Sequence, residues 1–350
     1  PCLRAWTRLN CACLNCACFN NGQDLLSARS SERTREAARQ SLEAARQNAA
    51  VAALNAYWGL FLQENILAVA RENTEVQEEQ YTLTQDRYKH GMKSLSDLLK
   101  TETDWRSAEL LVQTDDALRR QALFNFNILL GADEAAPVTL DADLTLGTTV
   151  APVLEDGLRE ALERRPEFLR QQELVGQAEN AFRLTRIQAG PTASLGFDAS
   201  DAWSGAYGAG ALPFGGSALS YGFLLRVALP SSFNGYSQVK EVRAARADLD
   251  QARQSWEAER RQARQDVFQA HIDLTRALRS YDISARKEDI SRQNLDIVKA
   301  EYSEGSADVI LLSQAQSDYV SAQAERLQAL HDAKINAALW KRAIGVPIWH

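Results

Sequence analysis

The side chains best suited to chemistry are unevenly placed along the chain. All five cysteines fall at positions 2, 11, 13, 16 and 18, and none follows. The run CACLNCAC holds two Cys-x-Cys pairs, the kind of spacing used by thiolate clusters for soft metal ions. It lacks the Cys-x-x-Cys spacings and partner histidines of zinc sites. The four histidines, His90, His271, His331 and His350, are scattered, and no HExxH, GxSxG, phosphate-loop or dinucleotide fingerprint occurs. Acidic neighbours such as Glu78-Glu79 and Asp115-Asp116 fit solvated helix faces. No constellation reads as a catalytic centre, so neither an enzyme nor a cofactor or resident metal is expected. What remains is a pair of Tyr-x-x-Gly segments, Tyr88–Gly91 and Tyr302–Gly305, each with an aspartate close behind: Asp97 and Asp308.

The elements that must carry these segments follow from composition and repetition. The 350 residues include only 8 prolines and 18 glycines, with 24% charged side chains, which favours helix. The 39 basic and 46 acidic side chains leave a net charge of −7, which excludes a general nucleic-acid binder. A shift of 214 residues superposes Tyr88-Lys-His-Gly91 on Tyr302-Ser-Glu-Gly305, Asp104-Trp105 on Asp318-Tyr319, Phe126 on Trp340, and Gly131 on Gly345. Equal spacing over 40 residues without a gap marks an internal duplication. Upstream of each turn, Gln23–His90 has no proline and one glycine, Gly59, while Tyr236–Glu304 has neither residue. A continuous helix of that length measures roughly 100 Å. After each turn a seam with steps of three and four appears: Leu98, Trp105, Ala108, Val112, Ala122, Phe126 and Leu129, then Leu312, Ala315, Tyr319, Ala322, Ala329, Ala333, Trp340 and Ala343. Such a seam selects knobs-into-holes packing, so each Tyr-x-x-Gly is expected to turn a long antiparallel helical hairpin.

Between the repeats the period changes. Residues 153–190 are expected as a helix, stopped by Pro191. Thr192–Asp201 and Leu219–Leu229 then alternate apolar with small or polar residues, around a Gly- and aromatic-rich loop at 202–218. Two such strands match transmembrane β-barrel dimensions, and equally a soluble hairpin packed on a core.

Taken together, the duplicated hairpins, the segment ALERRPEFLRQQELVGQAENAFRLTRIQAGPTASLGF and the junction VALPSSFNGYSQV before a very long helix resemble the TolC-type outer membrane efflux proteins (outer membrane factors) over about residues 20–346. The resemblance implies a mainly α fold with a β-hairpin: duplicated helical hairpins forming a periplasmic α-barrel tunnel, and strands contributing to a 12-stranded transmembrane barrel shared by a homotrimer. It implies a Gram-negative outer-membrane location with a periplasmic extension, contact with outer-membrane lipid, and no nucleic acid. The implied function is the exit duct of a tripartite efflux pump or type I secretion system. Its partners are a periplasmic adaptor (membrane fusion) protein and an inner-membrane pump of RND, ABC or MFS type. In that scheme Tyr88, Gly91, Leu98, Tyr302, Gly305 and Leu312 form partner-docking tips. Asp97, six residues after Gly91, and Asp308 are candidates for a carboxylate ring at the aperture. The alternative is a soluble helical scaffold or a periplasmic adaptor-like coiled coil.

The expected organisation is an atypical Cys-rich tip at 1–21 in place of a first-repeat strand, a first hairpin at 22–131, a linker at 132–152, a helix at 153–190, a membrane hairpin at 191–234 with loop 202–218 extracellular, and a second hairpin at 235–346. NCACLNCACF is unlike a strand, and relative to the family pattern the chain is expected to be N-terminally truncated.

Overall fold

The computed structural model describes residues 13–134, 136–141, 146, 152–204, 216–228 and 235–348. Expectations for residues 1–12, for the loop at 205–215, for the Pro230–Asn234 junction and for most of 142–151 lie outside the described residues. The elements in chain order are strand β1 (Cys13–Asn20), helices α1 (Gln23–Lys89), α2 (Leu95–Leu130), α3 (Leu154–Arg164) and α4 (Pro166–Gln188), strands β2 (Thr192–Ser204) and β3 (Gly216–Ala228), and helices α5 (Gly235–Glu304) and α6 (Val309–Ala343). They pack as two units: Pro1–Leu42 with Glu167–Arg260, and Glu43–Pro166 with Arg261–His350. α1 and α5 each contribute a segment to both.

The first unit holds the sheet, an antiparallel ladder in the order β1-β2-β3. The β2–β3 register sets Ala193, Leu195 and Phe197 opposite Val227, Leu225 and Phe223, which puts the apolar positions of both strands in one row. The other row carries Ser194 opposite Arg226, Gly196 opposite Leu224 and Asp198 opposite Gly222. Two expectations change here. Pairing continues through Ala202–Ala218, Trp203–Ser217 and Ser204–Gly216, so the loop is shorter than 202–218; a ladder of backbone hydrogen bonds does not need the alternation that marked the strands. The Cys-rich segment is also a strand. β1 pairs with β2 from Cys13–Ser200 to Asn20–Ser194, with an irregularity between Ala17 and Phe19. The edge of β2 supplies backbone partners whatever the side chains. Cys16 falls in the apolar row opposite Phe197, and Cys13 in the other row opposite Ser200, as an odd separation on a strand requires. Below the sheet, α4 is tied to its neighbours by Arg33–Glu173 at 2.7 Å and Arg253–Glu179 at 3.0 Å, with Phe168 against Trp256.

The expected helix at 153–190 is two helices. Pro166 has no N–H and its ring disfavours helical backbone at the preceding residue. Arg165 accordingly sits at φ −65°, ψ 120°, closing α3, and α4 opens on the proline itself, where a missing N–H costs nothing.

The second unit carries the duplication in its hydrogen bonds. Gly91 and Gly305 have φ of 72° and 81°, and Gly131 and Gly345 have 67° and 76°, a left-handed conformation that glycine adopts without a Cβ clash. The N–H of Gly91 donates to Tyr88 and that of Met92 to Arg87; 214 positions on, Gly305 donates to Tyr302 and Ser306 to Glu301. The helix ends repeat this, Gly131 to Ile128 and Ala132 to Asn127, Gly345 to Arg342 and Val346 to Lys341. These are paired C-terminal caps of the Schellman kind.

The core of this unit joins α3, α5 and α6 through Ala161, Val267, Leu274, Ala333, Trp340 and Ile344. A Cβ on Gly157 would run into the Trp340 indole, and one on Gly345 would lie 2.6 Å from the backbone of Arg164 and Arg165. Seven of the eight expected α6 seam residues are buried, with Tyr319 half-buried. The α2 seam is thinner: Ala108 and Phe126 are buried but Leu129 is exposed. α1 covers part of that side, with Tyr81 stacked on Trp105 and Tyr57 against Phe126.

Candidate functional site at the hairpin turns

Both turns lie in the second unit, and each is built by a left-handed glycine followed by an N-cap. Ser94 caps α2: its Oγ accepts from the Asp97 N–H at 3.1 Å, while the Asp97 carboxylate accepts from the Ser94 N–H at 3.2 Å. This reciprocal capping box satisfies two N-terminal donors at once. Asp308 caps α6 by accepting from the Leu311 N–H at 2.8 Å. Ser94 and Asp308 are equivalent under the 214-residue shift, so the two aspartates occupy different places: Asp97 at the third helical position and Asp308 at the cap itself. Each carboxylate also sits where a helix dipole favours negative charge.

The tyrosines differ more. Tyr88 is 39% exposed, and Tyr302 only 6%. The Tyr302 ring packs with Leu295, Val298, Val309, Leu312 and Ala315, with Lys93 Nζ 4.8 Å and Arg87 Cζ 5.6 Å from its centroid. Two cations against one ring couple the first turn to the second hairpin. Leu312 is buried and Leu98 half-buried, while Met92, Leu95, Leu99, Ile310 and Leu311 are exposed around the turns. Of the expected docking residues, then, Tyr88, Gly91 and Gly305 are on the surface; Tyr302 and Leu312 support them from beneath.

One group at this end was not singled out from sequence. Lys100 Nζ lies 2.5 Å from Asp104 and donates to Ser313 Oγ at 2.9 Å, and Ser313 Oγ donates to Asp104 at 2.7 Å. This triad fastens α2 to α6. Its signal was the i,i+4 spacing of Lys100 and Asp104, repeated 214 residues on by Gln314, which donates to Asp318 at 2.8 Å. Beside it a cleft of about 350 Å³ opens among α1, α2, α5 and α6, lined in part by Leu83, Thr101 and Val309. Gln80 Nε2, Tyr302 Oη and Gln316 Oε1 are buried there without a protein partner among the described residues. Such groups are held more weakly than a fully bonded core.

Residues 19–132 and 157–346 match the sequence profile of the family described as outer membrane efflux protein. The chain belongs to the outer membrane efflux protein family. Among its relatives, Protein CyaE of Bordetella pertussis is 24% identical over 314 residues, covering 87% of this chain and 64% of that protein, so the chain spans less than two thirds of this relative's length. The fold of this outer membrane efflux protein is shared with solved channels. The outer-membrane channel OprN has a TM-score of 0.78 at 21% identity, covering 97% of this chain and 74% of the channel. The Neisseria gonorrhoeae MtrE outer membrane channel in its open state gives 0.76 at 19%, over 93% and 72%. The Campylobacter jejuni CmeC outer membrane channel gives 0.72 at 16%, over 96% and 70%.

Proposed function

We propose that this chain is one subunit of an outer-membrane exit duct through which a tripartite efflux pump or a type I secretion system discharges its cargo by passive conduction. Family membership and the shared fold support the reading, and the feature that carries it is the sheet. Phe223, Leu225 and Val227, the apolar row of β3, are 76%, 67% and 60% exposed. An exposed apolar row is unfavourable in water and suited to lipid. Among the described residues no helix is long and apolar enough to cross a membrane, so the strands are the natural membrane element.

A three-stranded sheet leaves open edges, which lipid does not tolerate; strands from other copies would close them, in a trimer with a shared barrel. The helices favour the same assembly. Ile283, Ile290 and Ile297 on α5 recur every seven residues and are exposed, as are Leu111 and Leu118 on α2. Heptad stripes of this kind are completed by helices of neighbouring copies. The turns would then form the periplasmic end, docking an adaptor and an inner-membrane pump of RND, ABC or MFS type through Tyr88, Gly91 and Gly305. Asp97 and Asp308 would contribute carboxylates around the aperture.

The intact gene product should sediment with the outer membrane and leave it only in detergent, as a trimer; a monomer soluble without detergent would restore the soluble-scaffold reading. For the aperture, Asp97→Asn keeps an acceptor for the Ser94 N–H and removes the charge. It should weaken block by multivalent cations several-fold with the trimer intact. Unchanged block would leave Asp97 a capping residue.

A further inference from the structure

We infer that the first unit carries a basic collar, immediately beyond its sheet, that binds the headgroups of anionic phospholipids. Three helices adjoin the strands: α1 after β1, α4 before β2 and α5 after β3. The ten-residue windows nearest the strands, 22–31, 179–188 and 235–244, hold the basic residues Arg29, Arg183, Arg186, Lys240 and Arg243 against the acidic residues Asp24, Glu179 and Glu241. Five positive against three negative side chains gives +2 in a chain whose total is −7. The windows extend about 15 Å from the strands, within reach of a headgroup layer.

Pairing separates these cations from some of the unit's others, while Arg170, Arg226 and Arg246 are likewise exposed with no ion pair among the described residues. Arg33, Arg35, Arg39 and Arg253 are each engaged by a glutamate. The five collar residues form no ion pair among the described residues, and all are exposed. Of the three acids, Glu179 is already taken by Arg253. On α5 the spacing is that of one helix face: Tyr236 and Lys240 one turn apart, Arg243 in the next turn, with Lys240 Nζ 4.4 Å from the centroid of the exposed Tyr236 ring. A tyrosine at that level fits the interfacial preference of amphipathic aromatics. Unpaired, exposed cations beside a lipid-facing strand row complement a phosphodiester headgroup in charge.

The inference rests on the membrane reading of the strands, and its test separates the two. The intact protein, purified in mild detergent, is offered equal amounts of phosphatidylglycerol and phosphatidylcholine, and retained lipid is counted by native mass spectrometry. The unaltered protein should prefer phosphatidylglycerol. Arg183→Gln, Arg186→Gln, Lys240→Gln and Arg243→Gln should each lower that preference about five-fold. Arg279→Gln and Arg286→Gln, exposed cations of α5 in the other unit, should leave it unchanged, and Arg→Lys at the collar positions should retain it. Equal retention of the two lipids by the unaltered protein, or an undiminished preference when the four glutamine changes are combined, overturns the collar. Protein that enters vesicles of both lipids alike defeats the collar alone; protein that associates with neither defeats the membrane reading beneath it.

Discussion

At the scale of single residues, the acidic side chains at the turns have a structural job before any functional one. Ser94 and Asp308 each hold the first turn of a 35- or 36-residue helix through one cap bond. Ser94→Ala and Asp308→Ala should each cost about 1 kcal/mol of stability, read as a lower unfolding temperature of the helical circular-dichroism signal. Asp115 behaves differently. Burial on α2 raises its pKa above the ordinary carboxylate value, so the folded state binds its proton more readily than the unfolded state does. The stabilising contribution of that proton is present below the unfolded pKa of about 3.9 and is lost as pH rises through the higher folded value. Asp115→Asn should therefore raise the unfolding temperature at pH 7, with the gain shrinking toward pH 4. A gain independent of pH would assign the effect to something other than ionisation.

At the scale of elements, the duplication gives an internal control. Gly131 and Gly345 end equivalent helices with the same left-handed cap, yet a Cβ at Gly131 meets nothing within 4 Å while one at Gly345 lies 2.6 Å from the α3–α4 backbone. Gly131→Ala should cost about 1–2 kcal/mol, the price of the conformation. Gly345→Ala should cost more, because the kink at Arg165–Pro166 must also move. Comparable losses in thermal unfolding would contradict the packing described. Much at this scale was legible in the sequence, since glycine, proline and cap residues act through their own backbone: both turns, both long helices and the strand–helix order follow from local chemistry. The break at Pro166 follows from the ring's effect on Arg165, a local rule that the single helix expected over 153–190 overlooks. β1 was unreadable because its pairing comes from the edge of β2, some 180 residues away. The unequal burial of Tyr88 and Tyr302 was equally hidden. The two share type and spacing and differ only in which helices lie over them, as does the Lys100–Asp104–Ser313 triad, which needs α2 and α6 side by side.

At the scale of the whole molecule, two apolar features stay exposed in the single chain: the Phe223, Leu225 and Val227 row of the sheet and the heptad stripes on α2 and α5. Both are accounted for by membrane insertion and by copies of the same chain, which is why the central claim is a conducting assembly and not a folded monomer with a tunnel of its own. The most direct test is electrical. The intact gene product, purified from the outer membrane in detergent and added to a planar lipid bilayer, should insert as a trimer and give discrete, repeatable conductance steps. A monodisperse monomer that stays in solution without detergent and produces no steps would contradict the account.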